Sequence, residues 1–342
     1  MLPYSRNPET SQMTTSVASV TTAHNAAQVL PRQIEALLGQ TLPLQEIVVV
    51  DDQSGDGTSR MLAERYPQVR VIRTAENVGA AGAWSRGLAY AAIERRHDWV
   101  WTLDQDSVPP RNALETLLAG SASVDAGGGE VGIVTALPVH WETQTCYPPL
   151  LWREGFVKPS AEELHQPIWF ADLVIASGLM VRRELVEKIG LPRADFFMDL
   201  ADFEYCLRAR SAGYRIAVVT GVRLSHEIGH ARPVRLPGYA ALWPDHAPWR
   251  EYYMSRNLAY VAWWLYPSGP TKRSVVRHML RHAVGSVLFG SEKLACVKKM
   301  VQGFSDGRRA RLGIRFLPGP SPVSRMAAAR GLGNRVVGQE PQ

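Results

Sequence analysis

Cysteine is scarce: the 342 residues hold three, Cys146, Cys206 and Cys296, far apart and with no C-x-x-C pair. That excludes a disulfide framework and a cysteine-rich zinc site, and it suits a reducing compartment. No apolar run reaches the roughly 18–20 residues of a membrane-spanning helix. The opening residues, MLPYSRNPETSQMTTS, are polar and lack the apolar stretch of a secretory leader, so a cytoplasmic protein is expected. G-x-G-x-x-G is missing too, and with it the dinucleotide fingerprint. The 46% hydrophobic and 20% charged residues are the composition of a soluble globular protein with one large or two modest domains.

Acids are nearly missing from the C-terminal end. From residue 271 onward there are fourteen Lys and Arg against three Asp and Glu, which leaves 24 against 29 for the rest. A mildly acidic body therefore carries a strongly basic end. In it Arg277, Arg281, Lys293, Lys298 and Lys299 are interleaved with Val, Leu, Phe and Met. An interfacial helix drawn to anionic lipids has this pattern, and so does an amphipathic helix packed on the domain. The Trp-rich AYVAWWLYP is expected to join the same surface. No nucleic-acid partner is expected, because no stacking module or groove-reading motif accompanies the charge.

Residues 14–118 alternate apolar strand-like runs with helical stretches. TSVASVTTA, QEIVVVDD, VRVIRTAEN and DWVWTLDQD read as strands, with helices around AAQVLPRQIEALLGQ, SRMLAERYP, GAAGAWSRGLAYAAIERR and PPRNALETLLAG. Continuous apolar strands between helices predict an α/β fold, a Rossmann-like and mostly parallel sheet with helices on both faces. VGIVTALPV and RIAVVTGVRLSHE add strands, FADLVIASGLMVRRELVEKIG reads as strand, turn and helix, and residues 141–168 show no clear period. DFFMDLADFEYCLRARSAGY reads as one helix starting among acids, which suit the positive end of its dipole. Residues 231–248 read as a Pro-rich loop. WREYYMSRNLAYVAWWLYP and TKRSVVRHMLRHAVGSVLFGSEKLACVKKMVQGF follow as helices.

Polar residues collect at the carboxyl ends of the strands, where open α/β sheets bind ligands. In WVWTLDQDSVPP a buried strand ends in Asp104, Gln105 and Asp106. Alternate strand residues point to one side, so both carboxylates can face one ligand. A hard divalent cation held between protein and diphosphate needs such a pair, since Mg²⁺ takes one or two carboxylates plus phosphate oxygens. Two solvated Asp in a loop are the plain alternative. VVVDDQSGDGT puts Asp51 and Asp52 at the end of an earlier strand, where a base or ribose binds, and SGDGT is a turn leading into a helix. ENVGAAGAWSRG places Asn77, Gly79, Gly82 and Arg86 around a helix start that favours anions. Asp199 and Asp202 share a face at helical spacing, while Glu204 and Arg208 form a structural i,i+4 pair. Asp202 is either structural or a general base.

RLSHEIGHARP spells H-E-x-x-H from His226 to His230, which on a helix is the zinc site of a peptidase. The preceding YRIAVVTGVRLS is β-branched, Gly229 interrupts and Pro233 follows. In a helix interior Gly costs about 1 kcal/mol and Pro roughly 3 relative to Ala. No third ligand motif follows, so a zinc peptidase is not expected.

The order VTTAHN, VVVDDQSGDGT, ENVGAAGAWSRG, LDQDS, FADLVIASGLM, MDLADFEYCLRARSAGY resembles the inverting glycosyltransferases of family two, with their nucleotide-sugar GT-A fold. LDQDS, SHEIG, REYYMSRN and GFSDGRRARLG are most similar to its bacterial rhamnosyltransferase branch, which neighbours the galactofuranosyltransferases. The resemblance runs from about residue 15 to 315 and is specific for the family rather than the sugar. It implies that Asp52 contacts the nucleobase, that Thr22, Asn77, Arg86 and Gln105 line the nucleotide cleft, and that Asp104 faces ribose and metal. It further implies that Asp106 binds Mg²⁺ or Mn²⁺, that His226 is the third metal ligand, and that Asp202 is the base. Where the family often has Glu before this Asp the chain has Ala201, and its extra acid stands at Asp199; whether Asp199 shares the base role is left open.

The implied activity is inverting, metal-dependent transfer of rhamnose or galactofuranose. The donor would be a dTDP- or UDP-sugar, and the acceptor a hydroxyl of a lipid-linked or polysaccharide chain in envelope synthesis. Such an enzyme would sit at the inner face of the cell membrane, its basic end on anionic lipid. The expected partition is a disordered arm at 1–13, the GT-A domain at 14–230, a C-terminal helical region at 231–315 and a disordered tail at 316–342. A sugar nucleotidyltransferase would need a Gly-rich basic phosphate loop, which VTTAHNAAQ lacks. A non-catalytic scaffold would lack the D-x-D or the base, and both are present.

Overall fold

The computed structural model describes residues 15–141, 143–153, 155–226, 231–236 and 239–318. The expected arm at 1–13 lies outside the described residues, as do residues 319–342 of the expected tail and Glu227 and His230 of the HEIGH stretch.

Apolar runs with few polar breaks form the centre. β1 (Val17–Ala23), β2 (Glu46–Asp51), β3 (Arg70–Arg73) and β4 (Trp99–Asp104) are linked by α1 (Leu30–Leu38), α2 (Thr58–Arg65) and α3 (Gly79–Leu88). β1 pairs in parallel with both β2 and β4, and β2 with β3. α4 (Ala113–Ala126) leads to β5 (Val131–His140). The aperiodic stretch that follows holds a small hairpin, β6 (Leu151–Trp152) with β7 (Phe156–Val157), and a short helix, α5 (Ala161–His165). α5 starts at a capping box in which Ser160 and Glu163 satisfy each other's backbone N–H.

β8 (Ile168–Ala171), β9 (Leu179–Arg182), α6 (Arg183–Ile189), α7 (Ala201–Ser211) and β10 (Arg215–His226) complete the sheet. Its order is β3-β2-β1-β4-β9-β5-β10-β8. β9 runs antiparallel between β4 and β5, and β8 antiparallel at the edge, so the sheet is mostly parallel, as expected. Each face has its own core: Trp84, Leu88, Leu185 and Tyr205 of α3, α6 and α7 on one side, Ile34, Leu62 and Leu114 of α1, α2 and α4 on the other. Burial of both faces is the condition for a parallel sheet. It leaves the carboxyl ends of β1, β2, β4 and β10 at one edge.

The C-terminal part differs from its sequence reading in four places. Residues 231–248 were expected as a loop, but β11 (Ala231–Leu236) and β12 (Tyr239–Pro244) pair as an antiparallel hairpin. A two-stranded ribbon tolerates Pro, because every strand is an edge strand. The expected helix over 271–304 is interrupted at Gly290 and becomes α9 (Gly269–Phe289) and α10 (Lys293–Arg308), which follow α8 (Pro248–Tyr260). The Trp-rich stretch is largely internal: Trp263 packs edge-on against Phe304 at 5.3 Å, and of the two tryptophans only Trp264 is exposed. Phe316, assigned to the disordered tail, packs against Tyr252 at 4.9 Å. α10 lies close on α8, and a Cβ at Gly303 would come within 2.2 Å of the Tyr252 carbonyl oxygen.

Candidate active site

The strand ends enclose a cavity of ≈ 230 Å³ lined by Thr22, Asp104, Asp199, Asp202, His226 and Arg250 among others. Segments far apart in the chain thus supply one cleft. Thr22 stands beside Asp104 in the β1–β4 register, and His226 ends β10. His226 lies on a strand, which removes the helical geometry that an H-E-x-x-H zinc site requires.

His226 is buried between the two acids of the D-x-D stretch. Its Nε2 lies 3.8 Å from Asp104 Oδ2 and its Nδ1 3.0 Å from Asp106 Oδ1. The Ser107 hydroxyl reaches the same Nδ1 at 2.9 Å and the Ser177 hydroxyl at 2.5 Å. The tautomer decides whether the ring donates to this polar side or towards Asp104. Asp104 is fixed by its backbone: its carbonyl accepts from Gln33, and its N–H donates to Ser177 at 3.2 Å. Enclosure by protein pushes the Asp104 pKa up and Asp106 adds to this, while His226 and Arg250 oppose it. Asp106 Oδ1 is buried, and the His226 Nδ1 3.0 Å away is out of hydrogen-bond alignment with it. Among the described residues no three His, Cys, Asp or Glu side chains form a ready metal cage. A Mg²⁺-type site needs no such cage when phosphate oxygens complete the shell.

Asp202 is the second residue of α7. Its Oδ1 accepts from the Phe203 N–H at 2.8 Å and its Oδ2 from the Ala176 N–H at 3.2 Å. Both bonds favour the anion, as does the helix N-terminus. Burial outweighs them, and with the nearby charges of Asp199 and Asp104 it raises the pKa to about 7. A carboxyl poised near neutrality has the proton affinity of a general base.

The approach to Asp202 is strained rather than helical. Phe197, Asp199 and Leu200 have φ of 62°, 59° and 62°. Conformations of this kind cost about 1–3 kcal/mol each and persist only where the surroundings enforce them. Asp199 and Asp202 therefore do not share a helix face, contrary to the spacing argument. Asp199 is instead held by Arg250, whose Nη2 lies 2.8 Å from Oδ1 and whose Nε lies 3.1 Å from Oδ2. The expected Glu204–Arg208 pair is present at 2.9 Å.

The remaining candidates lie behind the cleft wall or away from it. Asp52 is 4% exposed and its carboxylate accepts from the Val78 and Gly79 N–H groups at 2.8 and 2.9 Å and from the Thr74 hydroxyl at 3.0 Å. Burial nevertheless raises its pKa. Its oxygens tie down the loop before α3, so the expected nucleobase contact would have to displace these partners. Asp51, wholly buried, pairs with Arg73 at 2.7 Å. Asn77 accepts from the Gly79 N–H at 3.1 Å, and Gln105 accepts from the His24 N–H at 2.8 Å. Arg86 is exposed on α3 and is not among the cleft-lining residues, whereas Ala80, Ala81 and Trp84 of the same helix are. Gly79 carries the local fold, since its φ is +74° and a Cβ there would come within 2.2 Å of the Phe197 carbonyl oxygen.

Sequence reasoning missed Arg250, a permanent cation lining the cleft, and the pair that follows it. Arg256 and Asn257 on α8 are fully buried. The Asn257 amide donates to the carbonyls of Phe196, Met198 and Asp199 at 3.0, 2.7 and 2.9 Å. Arg256 donates to those of Asp195 and Phe196 at 3.1 and 2.8 Å. The strained turn before Asp202 is thus clamped from α8. The REYYMSRN stretch was the available signal, but its spacing does not say what it holds.

Comparison with known proteins points to a family and a fold. The family model described as glycosyl transferase family 2 matches residues 19–190. The dTDP-rhamnosyl transferase RfbF of Shigella flexneri is 27% identical over 217 residues, covering 62% of this chain and 68% of that protein. The N-acetylglucosaminyl-diphospho-decaprenol L-rhamnosyltransferase of Mycobacterium tuberculosis (strain ATCC 25618 / H37Rv) is 23% identical over 210 residues, 54% of this chain and 67% of that protein. Among solved structures, GalNAc-T7 with UDP, GalNAc and Mn²⁺ superposes with a TM-score of 0.58 at 15% identity, over 87% of this chain and 56% of that one. The chain thus spans about half the length of that structural relative, and at this identity the likeness shows the fold alone.

Proposed function

The chain belongs to glycosyl transferase family 2, and from that premise we propose that it moves a sugar from a nucleotide-sugar donor to a hydroxyl of a glycan or lipid-linked acceptor in envelope polysaccharide synthesis. One observation carries the reading: Asp202, with a pKa of about 7, lines the same ≈ 230 Å³ cleft as Asp104 and His226. The acids that would hold a diphosphate and the base that would activate an alcohol are within one ligand's reach. The sugar the relatives favour is rhamnose, because two are named as rhamnosyltransferases, and dTDP is the nucleotide in the name of one of them.

Inversion follows if Asp202 acts as a base on the face opposite the diphosphate. The acceptor hydroxyl loses its proton to the Asp202 carboxylate as its oxygen bonds the anomeric carbon. The bond from that carbon to the diphosphate oxygen breaks, and its electron pair leaves with the nucleotide. Asp104, Asp106 and His226 would hold Mg²⁺ or Mn²⁺, which when bound supplies positive charge to the departing diphosphate. Arg250 adds a second positive charge to the cleft, and the Asn257 clamp fixes the base, so that positioning costs nothing at the moment of reaction.

Among the described residues no helix is long and apolar enough to cross a membrane. A peripheral site on anionic lipid is supported by α9, where Leu280, Val284 and Leu288 form an outward row 63%, 59% and 59% exposed. Arg273, Arg277 and Arg281 flank the row and are exposed too. Such a helix lies in the interface with its apolar row among the acyl chains and its cations at the headgroups.

The test is nucleotide release from a panel of dTDP- and UDP-sugars with added Mg²⁺ or Mn²⁺. Release from dTDP-rhamnose that stops on chelation is expected. Release from none of the donors, or release indifferent to chelation, would contradict the reading.

A further inference from the structure

On the far side of Asp202 is a second cavity, of ≈ 360 Å³. It shares Ile175, Asp199, Leu200 and Asp202 with the cleft, so Asp202 stands in the wall between the two spaces. The volume is within the range of about 300–1,000 Å³ typical of small-molecule sites. Its lining is mainly apolar, with Phe156, Phe203, Met254, Leu258, Met279 and Met300 around it. Unbranched Met side chains adapt to irregular apolar ligands. Polar groups gather on one side. Glu251 is 2% exposed, with the His282 Nε2 at 2.9 and 3.0 Å from its two oxygens. His278 lies parallel to His282 at 6.3 Å and is itself exposed. Most of the far wall comes from α8, α9 and α10, beyond the residues 19–190 that the family model matches.

We propose that this cavity is the acceptor site, and that the acceptor is a glycoside bearing an apolar group, alkyl or aryl, beside the sugar that carries the reacting hydroxyl. The proposal rests on the transferase reading with Asp202 as base. A base in the wall between donor and acceptor spaces can take the hydroxyl proton while the acceptor oxygen bonds the anomeric carbon. The apolar group would sit among Met254, Met279 and Met300, and sugar hydroxyls would meet Glu251 and His278. α9 presents Met279 and His282 to the cavity and Leu280 and Val284 to the outside. An acceptor anchored in a bilayer would therefore arrive along the helix that touches it.

The experiment compares octyl and methyl glycosides of the same sugars, with the full chain and the donor that releases nucleotide. Transfer is read as kcat/KM, and binding without donor by calorimetry. Octyl glycosides should be used at least about tenfold more efficiently, the scale of a few methylenes in an apolar pocket. They should bind saturably, and Met254→Trp should abolish most of the octyl preference by raising acceptor KM. Met279→Trp, on the partly exposed α9, is the second variant, with thermal unfolding as the folding control. Equal use of octyl and methyl glycosides, or an unchanged preference in both folded variants, would overturn the assignment. Octyl glycoside binding without nucleotide release from any donor would overturn the transferase reading, and the acceptor role with it.

Discussion

Asp199 and Arg250 form a two-point ion pair in the cleft, with Nη2 2.8 Å from Oδ1 and Nε 3.1 Å from Oδ2. The pair neutralises an acid close enough to Asp202 to raise its pKa, and it holds a guanidinium facing Asp104. Arg250 is kept firmly protonated, chiefly by Asp199. Asp199 is thereby a partner for a cation, and we propose that it is not a second base.

Replacing Arg250 by Ala should therefore have two effects. Donor KM should rise about 10–100-fold, the value of a lost charged hydrogen bond to phosphate. The uncompensated Asp199 should push the Asp202 pKa further up and move the acidic limb of the pH–rate profile to higher pH. A limb that moves down, or stays while KM rises, would separate Arg250 from the base.

Asp202 also sets a pH dependence in the wild type. It works as a base only when ionised, so kcat should fall on acidification below about pH 7. Stability should move the opposite way. The folded pKa lies above the ordinary value of 3.8, so the native state binds the extra proton between the two values. Stability is then greatest at low pH within this window and declines as pH rises towards 7. Asp202→Asn should remove that cost and raise Tm at pH 8 by about 2–4 °C, the shift for roughly 1 kcal/mol in a domain of this size. Thermal unfolding at two pH values checks it.

Asn257→Ala removes the donor shared by three carbonyls of the strained turn. Each buried acceptor left unsatisfied costs about 1–3 kcal/mol. Tm should fall, and kcat should fall more than donor KM rises, because the turn positions the base rather than the nucleotide. An Asn257→Ala variant with normal kcat would show that α8 only stabilises the fold.

The sheet was legible because buried parallel strands are continuous apolar runs, and the acids at their ends mark the ligand edge. Asp104 and Asp106 stood out for that reason, whereas Asp202 and His226 were singled out by the family resemblance; Asp104, Asp202 and His226 line one cleft. Other features depend on tertiary contacts that spacing does not encode. Asp199 leaves the helix because Arg250, 51 residues away, draws it into an ion pair. The bonds from Thr74, Val78 and Gly79 to the Asp52 carboxylate are likewise not encoded in spacing. Pro233 and Pro244 disguised a hairpin as a loop, since a ribbon tolerates what a central strand rejects.

For the membrane face, Leu280, Val284 and Leu288 changed together to Ser should reduce binding to phosphatidylglycerol vesicles. Changing Arg273, Arg277 and Arg281 to Gln should weaken that binding and lessen its dependence on salt. Wild-type binding to phosphatidylcholine vesicles should be much weaker. Equal affinity for both lipids would remove the electrostatic part of the account.

The central claim is that the Asp202 carboxylate receives the acceptor proton beside a donor held through Asp104, Asp106 and His226. Its most direct test is one titration: the turned-over nucleotide sugar into Asp202→Asn by calorimetry, alongside the transfer rate of the same preparation. The account predicts wild-type donor affinity with transfer reduced about 10²–10⁴-fold. Loss of donor binding together with transfer, or transfer near the wild-type rate, would contradict it.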